Sequence, residues 1–170
     1  MWGISMIPSN IMQHRPMNAS EKSELDNFRQ AGRNLLGIEN YADDTLERAD
    51  EFVIQMQRGP FDEAGNLLDE DKKIELSWSI GSLLGDHFVR HLGWAWSLVG
   101  IGDDKKFGII SANAALALYP SFFVRDCIED ASRDFTALLI FNMVSKGHFS
   151  DVREGSCLDL ADNVIRIVPR

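Results

Sequence analysis

IGSLLG (residues 80–85) and WAWSLV (residues 94–99) carry apolar residues at two different spacings. Around the first stretch, apolar residues recur every three or four positions from Asp69 to Gly93, which is the period of an amphipathic helix. In the second stretch, apolar residues alternate with small or polar ones, which is the period of a strand. The sequence therefore predicts a long helix that leads directly into a sheet.

Two further helices are predicted upstream, over residues 20–37 and 44–59. Each has apolar residues at helical spacing, and each stops at a glycine. In the second, Asp44 and Glu47 have the spacing of a capping box.

Downstream of the first strand, residues 102–106 predict a polar turn and residues 107–119 predict one more strand or two short ones. A single long helix is then expected over residues 121–146, with Phe135 on its apolar stripe. Residues 163–168 fit a short strand at the edge of the sheet.

This order of elements predicts an α+β fold in which about four helices pack on one face of a small antiparallel sheet. The chain has 170 residues, of which 45% are hydrophobic and 25% charged, as is typical of one globular domain. We expect residues 17–170 to form that domain. Residues 1–16 show little pattern and carry two prolines, so we expect a flexible leader or a docking arm.

Most of the net negative charge is gathered in one segment. The net charge of the chain is −9, and residues 39–75 hold twelve acids and four bases, a net −8. Such a surface repels nucleic-acid phosphates, which argues against DNA or RNA binding. It attracts a basic protein partner and speeds the encounter. The alternative is a solvated helical face that only aids solubility.

The exposed acids of this segment are the candidate partner-binding residues. They are Asp43, Glu47, Asp50, Glu51, Glu70 and Asp71.

His87 and His91 are the sharpest alternative, because two histidines four residues apart share one face of a helix. A zinc protease needs a glutamate directly after the first histidine, and this sequence has Phe88 there. A metal-binding protein or small enzyme built on this pair would need a third ligand from elsewhere. We therefore predict no catalytic residue, no metal site and no cofactor, and leave the histidine site and self-assembly as alternatives.

Gly81 and Gly85 lie on the apolar stripe of the long helix and cost it helical stability, so we expect the backbone of the sheet or of the last helix to approach closely there. Trp94 and Trp96 should share one face of the strand, either in the core or as a platform for a ligand.

The cellular location is predicted from sequence signals for export and for membrane insertion. It contains no pattern typical of a signal peptide and no apolar run long enough to span a bilayer. The two cysteines, Cys127 and Cys157, could pair but need not. These features favour the cytoplasm and no membrane contact.

The glycine-rich helix, the strand with Trp96, and the helix opened by Pro120 together resemble a poorly characterised family of small bacterial domains. That family has a Leu-Gly-x-x-Leu-Gly helix, and here Ile80 stands at the first leucine position while Asp86 follows the second glycine. The resemblance covers about a third of the chain and carries no established activity. Similar small acidic domains occur among immunity proteins, so it implies a non-enzymatic module that neutralises a toxin.

Overall fold

The computed structural model describes residues 11–134 and 136–167, with side chains as far as residue 164. The helices are α1 (Ala19–Leu36), α2 (Thr45–Arg58), α3 (Glu70–Leu92), α4 (Pro120–Glu129), α5 (Ala137–Ser145) and α6 (Leu160–Ile167). The strands are β1 (Met12–Pro16), β2 (Ala95–Ile101), β3 (Asp104–Ile110), β4 (Leu116–Leu118) and β5 (Leu158–Asp159).

The five strands form one sheet in the order β1-β2-β3-β4-β5. The pairs from β1 to β4 are antiparallel, whereas β5 runs parallel to β4. The predicted α+β fold is confirmed, with six helices in the described ranges instead of about four and a mixed sheet instead of an antiparallel one.

Strand β1 lies in the stretch that the sequence set apart as a leader or arm. Met12 is in register with Ile101 and Pro16 with Ser97, so residues 12–16 are part of the sheet. Residues 1–10, the rest of that expected segment, lie outside the described part of the chain.

Helix α3 is the centre of the fold and begins and ends as the sequence predicts. The side chain of Asp69 accepts a hydrogen bond from the backbone N–H of Lys72 at 2.8 Å, and Gly93 closes the helix in the left-handed conformation. A methyl group on Gly81 would lie 2.6 Å from the backbone nitrogen of Ser121, so the start of α4 touches α3 there. The expected close approach at Gly81 is confirmed.

Both faces of the sheet are packed. On one face, Leu98 joins Met17 and Leu25 beside α1. On the other, Val99 joins a small cluster that contains Cys157. Cys157 and Cys127 are buried and not bonded to each other.

The prediction of a single helix over residues 121–146 is wrong. Helix α4 ends at Glu129, and Asp130 turns the chain by accepting hydrogen bonds from the backbone N–H and the hydroxyl of Ser132. Helix α5 starts again after Thr136, whose hydroxyl accepts from the N–H of Leu139 at 3.2 Å. Phe135, expected on the stripe of that helix, lies outside the described residues.

Two smaller predictions are also wrong. The edge strand is β5, before residue 163, and the region predicted as a strand falls in α6, which starts where Asp159 accepts the N–H of Ala161 at 3.0 Å. Val168 lies outside the described residues. In α2, Asp44 makes no side-chain capping bond; the hydroxyl of Thr45 instead accepts the N–H of Ala42.

No helix in the described ranges is both long enough and apolar enough to cross a membrane.

Candidate functional site

Five of the six predicted partner-binding acids lie at the surface. Asp43 precedes α2, Glu47 and Glu51 lie on it, and Glu70 and Asp71 form the first turn of α3, all of them exposed. Acids in the first turn of a helix also stabilise it through the helix dipole. The exposure that the acidic surface requires is therefore present at these five positions.

Glu70 is the most neutralised of the five. Its carboxylate lies 2.8 Å from Lys73 Nζ and 3.2 Å from Arg125, which also pairs with Glu129. These contacts hold the pKa of Glu70 below its usual value. A partner would have to compete with both basic side chains for this carboxylate.

Asp50 is not a surface acid, and the prediction that it is one of the exposed acids is wrong. It is 7% exposed, and its carboxylate accepts hydrogen bonds from the backbone N–H groups of Ala137 (2.9 Å) and Leu138 (2.8 Å). Burial raises the pKa of Asp50 to about 6 and outweighs these hydrogen bonds, which act in the opposite direction. Asp50 is thus a structural cap that joins α2 to the start of α5.

An apolar groove of about 500 Å³ opens in the same acidic segment. Its walls come from the end of α1, from α2, from the start of α3 and from the loop between α2 and α3. The lining residues are Leu35, Phe52, Met56, Phe61, Asp62, Glu63, Ala64, Leu68, Lys72 and Leu76. In the sequence, the groove is indicated only by apolar residues in a loop of otherwise turn-forming composition.

The loop over residues 59–69 is internally bonded yet presents large apolar side chains to solvent. Asp62 accepts the backbone N–H of Asn66 at 2.8 Å, and the N–H of Leu68 bonds the carbonyl of Pro60. Phe61 and Leu67 pair as an isolated β-bridge and are 52% and 68% exposed. An ordered loop that exposes two such side chains is typical of an interaction surface.

The charge of the groove lining is negative. Asp62 and Glu63 are both exposed there, and hydrogen bonds from Asn66 hold the pKa of Asp62 below its usual value. The one basic residue of the lining, Lys72, lies 2.8 Å from the carboxylate of Glu75. Its charge is therefore already balanced within the chain.

Of the histidine pair, His87 is buried and His91 is exposed, and both rings pack against an aromatic ring of α5. The rings of His87 and His91 lie 4.3 Å apart, and the ring of Phe141 on α5 meets that of His87 edge-on at 4.6 Å. His87 Nδ1 also shares a hydrogen bond with the hydroxyl of Tyr41. Burial, with a smaller contribution from His91, lowers the pKa of His87 to about 4, so this imidazole is neutral at pH 7.

The metal-binding alternative for His87 and His91 lacks a third ligand in the described residues. Among them, no group of three or more histidine, cysteine, aspartate or glutamate side chains is arranged to hold a metal ion. His14 lies on β1 and His148 follows α5. Both rings of the pair instead contact Phe141.

Gly85, Asp86 and Trp96 form one structural unit. A methyl group on Gly85 would lie 2.2 Å from the indole of Trp96, and the indole N–H donates to Asp86 at 2.9 Å. Asp86 also receives two hydrogen bonds from Arg29 on α1, at 2.7 and 2.8 Å. Trp96 is therefore partly buried and fixed against α3, as the core alternative predicts.

A smaller cavity of about 230 Å³ lies beside Asp50 and the thiol of Cys127. Burial raises the pKa of this thiol to about 12, so it stays protonated at neutral pH. A thiol in that state is a poor nucleophile and a poor metal ligand.

Comparisons with family models, with curated proteins and with solved structures gave no significant match.

Proposed function

We propose that this chain is a non-enzymatic, cytoplasmic protein-binding module that neutralises a basic protein partner, as immunity proteins neutralise toxins. One observation carries the proposal: the segment that holds nearly all of the net charge also supplies eight of the ten residues that line the apolar groove. Charge and exposed apolar surface at one place supply the two ingredients of a specific interface, steering and desolvated contact.

The exposed acids give the long-range part of the interaction. Surface charges act over about 8 Å at physiological ionic strength, so a cluster of them raises the association rate more than the final affinity. Asp43, Glu47, Glu51 and Asp71 are exposed and form no ion pair with a basic side chain of the described residues, which leaves their charge open to a partner.

The alternative based on histidine chemistry is weaker because of where His87 lies. His87 is buried and neutral, and its ring nitrogen Nδ1 is already engaged by Tyr41. A catalytic base would need to reach a substrate, and this one faces Phe141.

The test reverses charges on this chain and measures its binding to the partner that the native chain captures from its own cell. The binding-surface variant carries Asp43→Lys, Glu47→Lys, Glu51→Lys and Asp71→Lys. The matched control makes the same change in net charge at exposed acids outside the segment, with Glu24→Lys, Asp103→Lys, Asp151→Lys and Glu154→Lys.

Stopped-flow or surface-plasmon measurements should show the association rate of the first variant falling about tenfold or more at low salt, with a flatter dependence on salt. The control variant should lose much less. Equal losses for both variants would mean that net charge alone matters, and unchanged rates in both would overturn the proposal.

A further inference from the structure

We infer that the groove between α1, α2, α3 and the loop over residues 59–69 takes the apolar face of one amphipathic helix whose flanks carry lysine or arginine. This inference rests on the proposed function and names the form of the partner segment.

The groove has a buried floor and an exposed rim. Leu68 and Leu76 form the floor and are 7% and 4% exposed, while Leu35 and Phe61 on the rim are 40% and 52% exposed. The rim side chains would lose most of their contact with water if an apolar ligand settled between them. Burial of apolar surface is worth roughly 25 cal/mol per Å², so these residues are the natural anchors.

The spacing of the lining favours a helix as the occupant. Phe52 and Met56 lie one turn apart on α2 and face the groove together. A helix laid along α2 would present its own apolar residues at positions i, i+3, i+4 and i+7 to this row.

A strand has no template at this site. Partner strands bind by extending the open edge of a sheet, where backbone N–H and C=O groups are unpaired. None of the ten lining residues belongs to β1, β2, β3, β4 or β5.

Charge complementarity decides the flanks of the ligand. Asp62 and Glu63 stand at the groove, and the surrounding segment is the most acidic part of the chain. A second copy of this chain would bring the same acids against them, and an anionic membrane surface would likewise be repelled. The apolar face of a helix with basic flanks matches the floor and rim of the groove, and the flanks match Asp62 and Glu63.

The experiment uses two synthetic peptides of identical leucine and lysine composition. In one peptide the leucines fall at i, i+3, i+4 and i+7, and in the other they are scrambled so that they share no helical face. Binding of each labelled peptide to the full chain is measured by fluorescence anisotropy. The variants are Phe61→Ala and Leu35→Ala in the groove, with Ile101→Ala, an equally exposed apolar residue on β2, as the matched control.

The amphipathic peptide should bind at least about fivefold more tightly than the scrambled one. Each groove variant should remove most of that preference, because truncating an interface anchor typically weakens binding by about fivefold or more. Ile101→Ala should bind both peptides as the native chain does. Circular dichroism of each variant checks that the fold is retained, and both groove positions are exposed enough for truncation to be tolerated.

The outcomes separate this inference from the proposed function. If the two peptides bind equally and Phe61→Ala leaves their affinities unchanged, the helix site is overturned. If the charge-reversal variant with four lysines nevertheless binds both peptides more weakly, the acidic surface is supported. No effect of either kind overturns both. A dimer in light scattering that Phe61→Ala abolishes would place a second copy in the groove and also overturn the inference.

Discussion

The carboxylate of Asp50 accepts a hydrogen bond from the backbone N–H of Ala137, 87 residues further along the chain, at 2.9 Å. A second bond from the N–H of Leu138, at 2.8 Å, completes the pair. The first N–H groups of a helix have no hydrogen-bond partner within that helix. In α5, two of these N–H groups donate to Asp50 on α2. A residue that looks like a surface acid in the sequence is thus a link between two helices in the fold.

Removing this cap should destabilise the whole domain. We expect Asp50→Ala to lower the free energy of unfolding by about 2–4 kcal/mol, because two buried N–H groups lose a charged acceptor. The neighbouring Glu51 is exposed, so Glu51→Ala should change the free energy of unfolding by less than about 0.5 kcal/mol. Urea unfolding of the two variants checks this, and similar losses for both would contradict the capping role.

Stability should depend on pH through the same carboxyl group. Its pKa is about 6 in the folded chain against the ordinary value of 3.8, so the folded state holds the proton more tightly. The stabilisation this gives is complete below about pH 4 and is lost as the pH rises through 6, by up to about 3 kcal/mol.

The measurement is the difference in unfolding free energy between the native chain and Asp50→Asn from pH 4 to 7. Taking the difference cancels the other carboxyl groups, such as Glu21, whose pKa near 2 acts in the opposite sense. The unfolding free energy of the native chain should fall relative to that of Asp50→Asn as the pH rises. A difference that stays constant would refute a raised pKa at Asp50.

Gly81→Ala should reverse the usual effect of replacing a glycine in a helix. Alanine is favoured over glycine in a helix interior by about 1 kcal/mol, but here its methyl group would lie 2.6 Å from the backbone nitrogen of Ser121. Backbone cannot move aside as a flexible side chain can, so we expect a net loss of about 2 kcal/mol or more. Thermal unfolding provides the check, and a rise in Tm would show that α4 can shift away from α3.

Asp86→Ala should loosen the packing between α1, α3 and β2. The substitution leaves Arg29 with only Asp26 as an acidic partner and removes the acceptor of the Trp96 indole, so we expect a loss of about 2–4 kcal/mol. Near-ultraviolet circular dichroism of the tryptophans should weaken in the folded variant. Asp86→Asn keeps an oxygen acceptor and should lose less; an equal loss in both would mean that the charge alone matters.

The boundaries of α3 could be predicted because each depends on residues beside it. Asp69 caps a helix whose first N–H groups are its own neighbours, and Gly93 ends it by adopting a backbone conformation that glycine favours. The close approach at Gly81 was also visible, since a glycine on an apolar helical stripe has a cost that packing must offset.

The break between α4 and α5 could not be predicted in the same way. The apolar residues keep helical spacing across residues 124–142 without interruption. This spacing predicts a continuous helix more strongly than Asp130 and Thr136 predict a turn and a new helix start. Helix α5 begins at Ala137, where Asp50 on another helix accepts the first N–H groups. The position of Asp50 in the interior follows from the same distant contact, which no spacing rule contains.

By itself the sequence determined the α+β class, the concentration of acids in residues 39–75 and the surface position of five of the six candidate contacts, because these follow from local propensity, periodicity and composition. Only the tertiary structure decided that Asp50 is buried and that Leu35, Phe52 and Phe61 line one groove. Those residues come from separate elements, and only the packing of helices against one another brings them together.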